Sequence, residues 1–194
     1  MPPGERRAER LRHVLSMRRP DLTVVLENIH DPHNVSAILR SCDAVGVLRV
    51  ELLYTVEKFP RIGKKSSSSA SKWLDRRRHT SVAACYSALR EEGFRIYATR
   101  LGGASVSLYD LDLSMPSALV FGNEHRGVSP EAAEAADGNF HIPMVGMIQR
   151  LNVSVAAAVA LYEAHRQRVA AGVEGKKGLG AEELARLYED WIRR

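Results

Sequence analysis

The stretch Thr23-Val-Val-Leu-Glu-Asn28-Ile-His30-Asp31-Pro32-His33-Asn34-Val-Ser-Ala-Ile-Leu-Arg40-Ser-Cys42-Asp-Ala-Val-Gly46 contains two hydrophobic patterns in succession. Thr23 to Asn28 is a short apolar run of strand length, rich in β-branched residues. His30-Asp31-Pro32 supplies turn chemistry. From Asn34 to Val45 the apolar residues Val35, Ile38, Leu39, Cys42 and Val45 recur at helical spacing. Asn34 is suited to cap that helix, and Gly46 stops it. A strand that feeds a helix of this length is half of a βαβ unit.

The same alternation continues outward. Arg49–Thr55, Phe94–Thr99, Ala118–Phe121 and Phe140–Ile142 read as further strands. Ser81–Glu92, Pro130–Ala136, Asn152–Val169 and Ala181–Ile192 read as helices, the first capped by Ser81. A short amphipathic stretch, Leu11–Met17, closes at Pro20 and makes an N-terminal helix. Glu57 to Thr80, with its run Ser66–Ser69, is expected to be a long loop. The fold class is therefore α/β with a largely parallel sheet, flanked by helical extensions.

The 194 residues suit one domain plus short appendages, and 45% hydrophobic content with mixed charge excludes a disordered chain. The longest apolar run, Val153 to Tyr162, is interrupted by Ser154 and falls short of the ~20 residues a membrane span needs. No apolar signal-peptide core follows Met1, and Cys42 and Cys85 lack metal or redox spacing; a cytoplasmic location is expected. The net charge of +5 is unevenly spread. Residues 1–20 carry +4, residues 58–79 carry +7 and residues 164–194 carry +2, which leaves a body of −8. Basic segments outside an acidic body point to a polyanion, with nucleic acid the leading partner.

Three loops at strand ends hold the candidate chemistry. Gly122-Asn123-Glu124-His125-Arg126-Gly127 follows an apolar strand, where ligands of open α/β sheets collect. It is not the dinucleotide fingerprint, and Gly63-Lys64-Lys65-Ser66 lacks the first glycine and preceding strand of a phosphate loop. His30, Asp31 and His33 match no common zinc spacing, so no metal is expected. Pro143 to Arg150 leads into a helix that Asn152 or Ser154 can cap, and exposed amides at such a start suit an anion.

Asn28–Gly46, Leu119–Gly127 and Ile142–Ala156 together resemble, in order and spacing, the three motifs of the SpoU/TrmH RNA ribose methyltransferases. This resemblance spans about residues 21–165. It implies a SPOUT-type domain there, with a deep trefoil knot near its C-terminal end. A basic N-terminal helical extension (1–20) and a C-terminal helical extension (166–194) would flank that domain. It also implies S-adenosylmethionine as methyl donor and a homodimer with the active site at the subunit interface. Residues matching the family's functional positions are Asn34, Arg40, Glu124 and Asn152, with Arg40 reaching the other subunit's site. Cofactor contacts carried over fall on Thr99, Gly122, Ile142 and Leu151. Where the family commonly has Ser before the Leu-Asn pair, this chain has Arg150.

The basic terminal helices resemble those of the subgroup that methylates guanosine 18 in the tRNA D-loop. The alternatives are a related enzyme acting on rRNA or the tRNA wobble ribose, or an RNA-binding protein without chemistry. The residues expected to grip RNA are Arg6, Arg7, Arg10, Arg12, Arg18, Arg19, Lys64, Lys65, Lys72, Arg166 and Arg168.

Overall fold

The structure is a computed structural model and describes residues 3–61, 70–173 and 179–194. Seven parallel strands form one sheet in the order β3-β2-β1-β6-β4-β7-β5. They are β1 (Leu22–Glu27), β2 (Arg49–Leu53), β3 (Asp75–His79), β4 (Arg95–Thr99), β5 (Val106–Ser107), β6 (Ser117–Phe121) and β7 (Gly138–His141). The helices are α1 (Pro3–Ser16), α2 (Pro32–Ala44), α3 (Val82–Glu91), α4 (Pro130–Ala135), α5 (Val153–Ala170) and α6 (Ala181–Arg193). The α/β parallel architecture expected from the alternating pattern is what forms.

Both sheet faces are covered, which explains why β1 and β6 are buried along their whole lengths and mostly apolar. On one face Val24, Leu26, Leu119 and Phe121 pack under α2 and α5, through Ile38, Leu39, Ala157, Leu161 and Ala164. The alanines of α5 leave room for α2 to lie close against it. On the other face Val25, Ile96, Ala98 and Val120 meet Cys85, Tyr86 and Leu89 of α3 and Ala132 of α4. Each large apolar side chain buried this way contributes roughly 1.5–3 kcal/mol. Gly46, just past α2, has φ +85, and a Cβ there would sit 2.6 Å from the Met17 carbonyl oxygen. Only glycine allows both that conformation and that approach.

α1 and α6 form a third cluster of their own: Leu11 and Leu15 with Leu187 and Trp191, over Leu48 and beside Trp73. The two tryptophan rings lie 5.0 Å apart.

Three sequence expectations need correction. Glu57–Thr80 is not all loop: a single 3-10 turn at Ala70–Lys72 leads into β3, which pairs with β2 from Arg49↔Asp75 to Leu53↔His79. Asp75-Arg-Arg-Arg-His79 has no apolar residue, because this edge strand is held by charge. Buried Glu51 on β2 accepts from Arg49 Nε and Arg77 Nε, both at 2.8 Å, and lies 2.7 Å from His79 Nε2. The two-residue β5 is also absent from the sequence reading. α2 is capped by Asp31, whose Oδ1 accepts from the His33 N–H at 2.8 Å, and not by Asn34. Pro32 at the first helical position moves the helix start upstream, which frees the Asn34 amide for a tertiary contact.

Candidate functional site

The carboxyl ends of β4, β6 and β7 open into a cleft of about 480 Å³. Thr99, Gly122, Glu124, Ile142, Leu151 and Asn152 all line it. Six of the eight sequence-expected catalytic and cofactor positions therefore meet in one cavity.

The turn 122–127 folds back on itself. A Cβ on Gly122 would lie 2.2 Å from the Gly127 backbone, so glycine is required there. Asn123 and Gly127 close the turn as a bridge, and the Asn123 Oδ1 accepts from the His125 and Arg126 N–H groups. Its Nδ2 donates to the Asn28 carbonyl at 2.9 Å. Asn28, at φ 50, in turn uses its side-chain oxygen to accept from Thr55, Val56 and Glu57 N–H. Two asparagines thus fix three strand-end loops to one another. Sequence reasoning gave Asn28 and Asn123 no role. The available signal was asparagine one residue past β1 and two residues past β6, a residue that tolerates left-handed backbone and bonds locally.

Glu124 is the joint between that turn and α2. Its Oε1 accepts from the Asp31 N–H at 3.1 Å and the Asn34 Nδ2 at 3.0 Å, and its Oε2 from the His30 N–H at 3.1 Å. Partial burial opposes its ionisation. The Asn34 amide and the main-chain donors outweigh that, so the carboxyl stays below the usual carboxylate range. Both oxygens are committed to donors. Asn152 caps α5, accepting from the Ser154 N–H at 2.8 Å. Its Nδ2 has no partner among the described residues.

The structure does not bring Arg40 to this cleft. Arg40 is exposed on α2, and Asn34 contributes through Glu124 and not as a lining residue. Among the described residues, no three His, Cys, Asp or Glu side chains gather as a metal site.

The basic residues divide sharply. Arg6, Arg7, Arg10 and Arg12 are exposed on α1, where Arg7 and Arg10 border a groove with Trp73 and Trp191, and Arg12 lies over the Tyr188 ring. Lys72 is exposed, and Arg166 is exposed but paired with Glu163. Lys64 and Lys65 lie outside the described residues. Arg18, Arg19 and Arg168, also expected to grip RNA, are buried. Arg18 pairs with Asp43, donates to the Val47 carbonyl at 2.8 Å and stacks on Trp191. Arg19 lies 3.0 Å from His165 Nδ1. Arg168 joins Asp21 at 2.6 Å to the carbonyls of Leu113 and Met115. The partners of Arg18 and Arg168 tie the two extensions to the sheet domain.

The model of the SpoU rRNA methylase family matches residues 21–162. The chain belongs to the SpoU methylase family. It is 46% identical over 190 residues to the tRNA (guanosine(18)-2'-O)-methyltransferase of Thermus thermophilus, covering 98% of this chain and 97% of that one. The crystal structure of the Aquifex aeolicus TrmH/SpoU tRNA modifying enzyme superposes with a TM-score of 0.91 at 40% identity, covering 98% and 96% of the two chains. The SpoU methyltransferase AviRb from Streptomyces viridochromogenes, solved in complex with the cofactor AdoMet, is 29% identical at a TM-score of 0.68. That likeness covers 78% of this chain and 59% of AviRb. The second and third motif segments line the cleft, and the first is joined to them through Glu124. Among the described residues, no helix is long and apolar enough to cross a membrane.

Proposed function

We propose that this SpoU-family chain is a cytoplasmic, S-adenosylmethionine-dependent methyltransferase acting on the ribose 2'-hydroxyl of guanosine 18 in the tRNA D-loop. One observation carries the choice of substrate. Similarity to guanosine-18 enzymes runs over 98% of the chain and so takes in α1 and α6 as well as the family domain. The cleft supports the cofactor: its volume suits a nucleoside-sized ligand, and Leu101, Ile142, Met144 and Leu151 give it apolar walls beside the polar 122–127 turn. Thr99, Gly122, Ile142 and Leu151 would hold the cofactor, within a knotted C-terminal part of the domain. When bound, it supplies an electrophilic methyl group on a sulfonium.

A guanidinium such as that of Arg40 offers only donors and no acceptor. In this reading it reaches the other subunit's cleft, holds a substrate phosphate and stabilises the oxygen on which negative charge grows. The ribose proton passes to that phosphate. Glu124 and Asn34 are positioning residues: they fix the start of α2, and with it Arg40, against the cofactor turn. Asn152 fixes α5 and offers its amide to the cleft. A second copy of the chain has apolar surface to cover, since Val145, Met147 and Ile148 beside the cleft are largely exposed, as are Val155 and Tyr162 on α5.

The test is transfer of labelled methyl from S-adenosylmethionine to unmodified total tRNA and, separately, to rRNA. Label in tRNA is expected. Label in rRNA alone overturns the substrate, and no label in either overturns the enzyme.

A further inference from the structure

The mouth of the cleft carries three arginines, Arg100, Arg126 and Arg150, all exposed and contributed by three different loops. Arg126 donates to Glu57 at 2.8 Å. The side chains of Arg100 and Arg150 have no partner among the described residues. Among the described residues Glu124 is the one carboxylate lining the cleft, and its oxygens are spent on the His30, Asp31 and Asn34 donors. The rim is therefore an excess of positive charge around a cavity whose proposed cofactor is itself cationic at sulfur. Such a rim is open to an anionic group, and no lining carboxylate is free to neutralise it.

The substrate chemistry supplies that anion. A ribose 2'-hydroxyl sits on the carbon next to the one bearing the 3'-phosphodiester, so a 2'-oxygen placed in the cleft carries backbone phosphate to its mouth. We infer that Arg100, Arg126 and Arg150 form a seat for the RNA phosphates flanking the target ribose, with Arg150 the principal contact. This rests on the proposed RNA ribose substrate and deepens it. The seat is separate from the basic face of α1: it lies on the reacting nucleotide and Arg150 belongs to the cleft-lining segment that starts α5. Planar guanidinium groups suit phosphate oxygens, and none of the three needs to leave a buried partner to bind.

The experiment measures binding of unmodified tRNA, without cofactor, to the native protein and to Arg150→Ser, Arg150→Lys and Arg100→Ala across a salt series, with S-adenosylmethionine affinity measured separately by calorimetry. Arg150→Ser is expected to weaken tRNA about fivefold and to lower the slope of log affinity against log salt by about 0.7–0.9, the amount for one phosphate contact. Arg150→Lys keeps the charge and should keep the slope. Arg100→Ala should repeat the effect at smaller size. An unchanged slope in Arg150→Ser overturns the seat. So does a loss of S-adenosylmethionine affinity at constant slope, which would place Arg150 on the cofactor's carboxylate. Failure of the native protein to methylate any RNA, with the slope still lowered in Arg150→Ser, would overturn the proposed reaction and leave the phosphate seat standing.

Discussion

Arg166 and Arg168 stand two residues apart on α5 and do opposite things. Arg168 is 1% exposed and its guanidinium is fully used, on Asp21 and on the carbonyls of Leu113 and Met115. Arg166 points to solvent with one carboxylate partner, Glu163. The same division runs through the N-terminal segment, where Arg12 is exposed and Arg18 is sealed beneath Trp191. Density of arginine in a sequence therefore says that charge is needed, and burial alone says whether the need is structural or external.

Truncation measures that division most strongly at the buried member. Arg168→Ala leaves Asp21 and two carbonyls without their donor, and should lower unfolding free energy by about 3–5 kcal/mol. Arg166→Ala should change it by no more than about 0.5 kcal/mol in the same chemical denaturation series. Equal effects would break the comparison. Next in size is Arg40→Ala, an exposed arginine assigned to chemistry: turnover should fall about 10²–10³-fold with an unchanged melting temperature. A lowered melting temperature would move Arg40 into the structural group. Replacing Arg6, Arg7, Arg10 and Arg12 together should weaken tRNA binding more than tenfold and reduce the salt slope by about 3, with cofactor affinity unaltered. If cofactor affinity fell, α1 would not be a purely external surface.

The smallest expected effect belongs to the carboxylate that joins the two loops. Glu124 ionises more readily folded than unfolded, so its contribution is present above the unfolded value of about 4.3 and fades as pH falls through the lower folded value. The native protein should therefore exceed Glu124→Gln in denaturation midpoint at neutral pH, and the gap should narrow below about pH 4. A gap that is constant with pH would mean that the charge of Glu124 is not what the His30, Asp31 and Asn34 donors recognise.

The parts of this molecule that were readable in its sequence are those where apolar spacing sets structure. Thr23–Gly46 announced its strand and helix because Val24, Leu26, Ile38, Leu39 and Cys42 all enter one core. The site loops were readable because three separate motifs sit in register after strands. β3 was not, since Arg76, Arg77 and Arg78 leave no hydrophobic trace and the strand is fixed by Glu51 from its neighbour. The buried arginines were not either: nothing local distinguishes Arg18 from Arg12, because Trp191 and Asp43 arrive from distant positions. Asn34 was misread for a related reason, since its tertiary partner Glu124 lies 90 residues away.

The central claim is that the cleft built by Glu124, Asn152 and their loops serves one ribose oxygen. Two tRNA transcripts, one native and one with 2'-deoxyguanosine at position 18, would be incubated with the protein and labelled S-adenosylmethionine, and the labelled nucleotide mapped. Label is expected at guanosine 18 in the native transcript and at no position in the deoxy transcript. Equal labelling of both would contradict it.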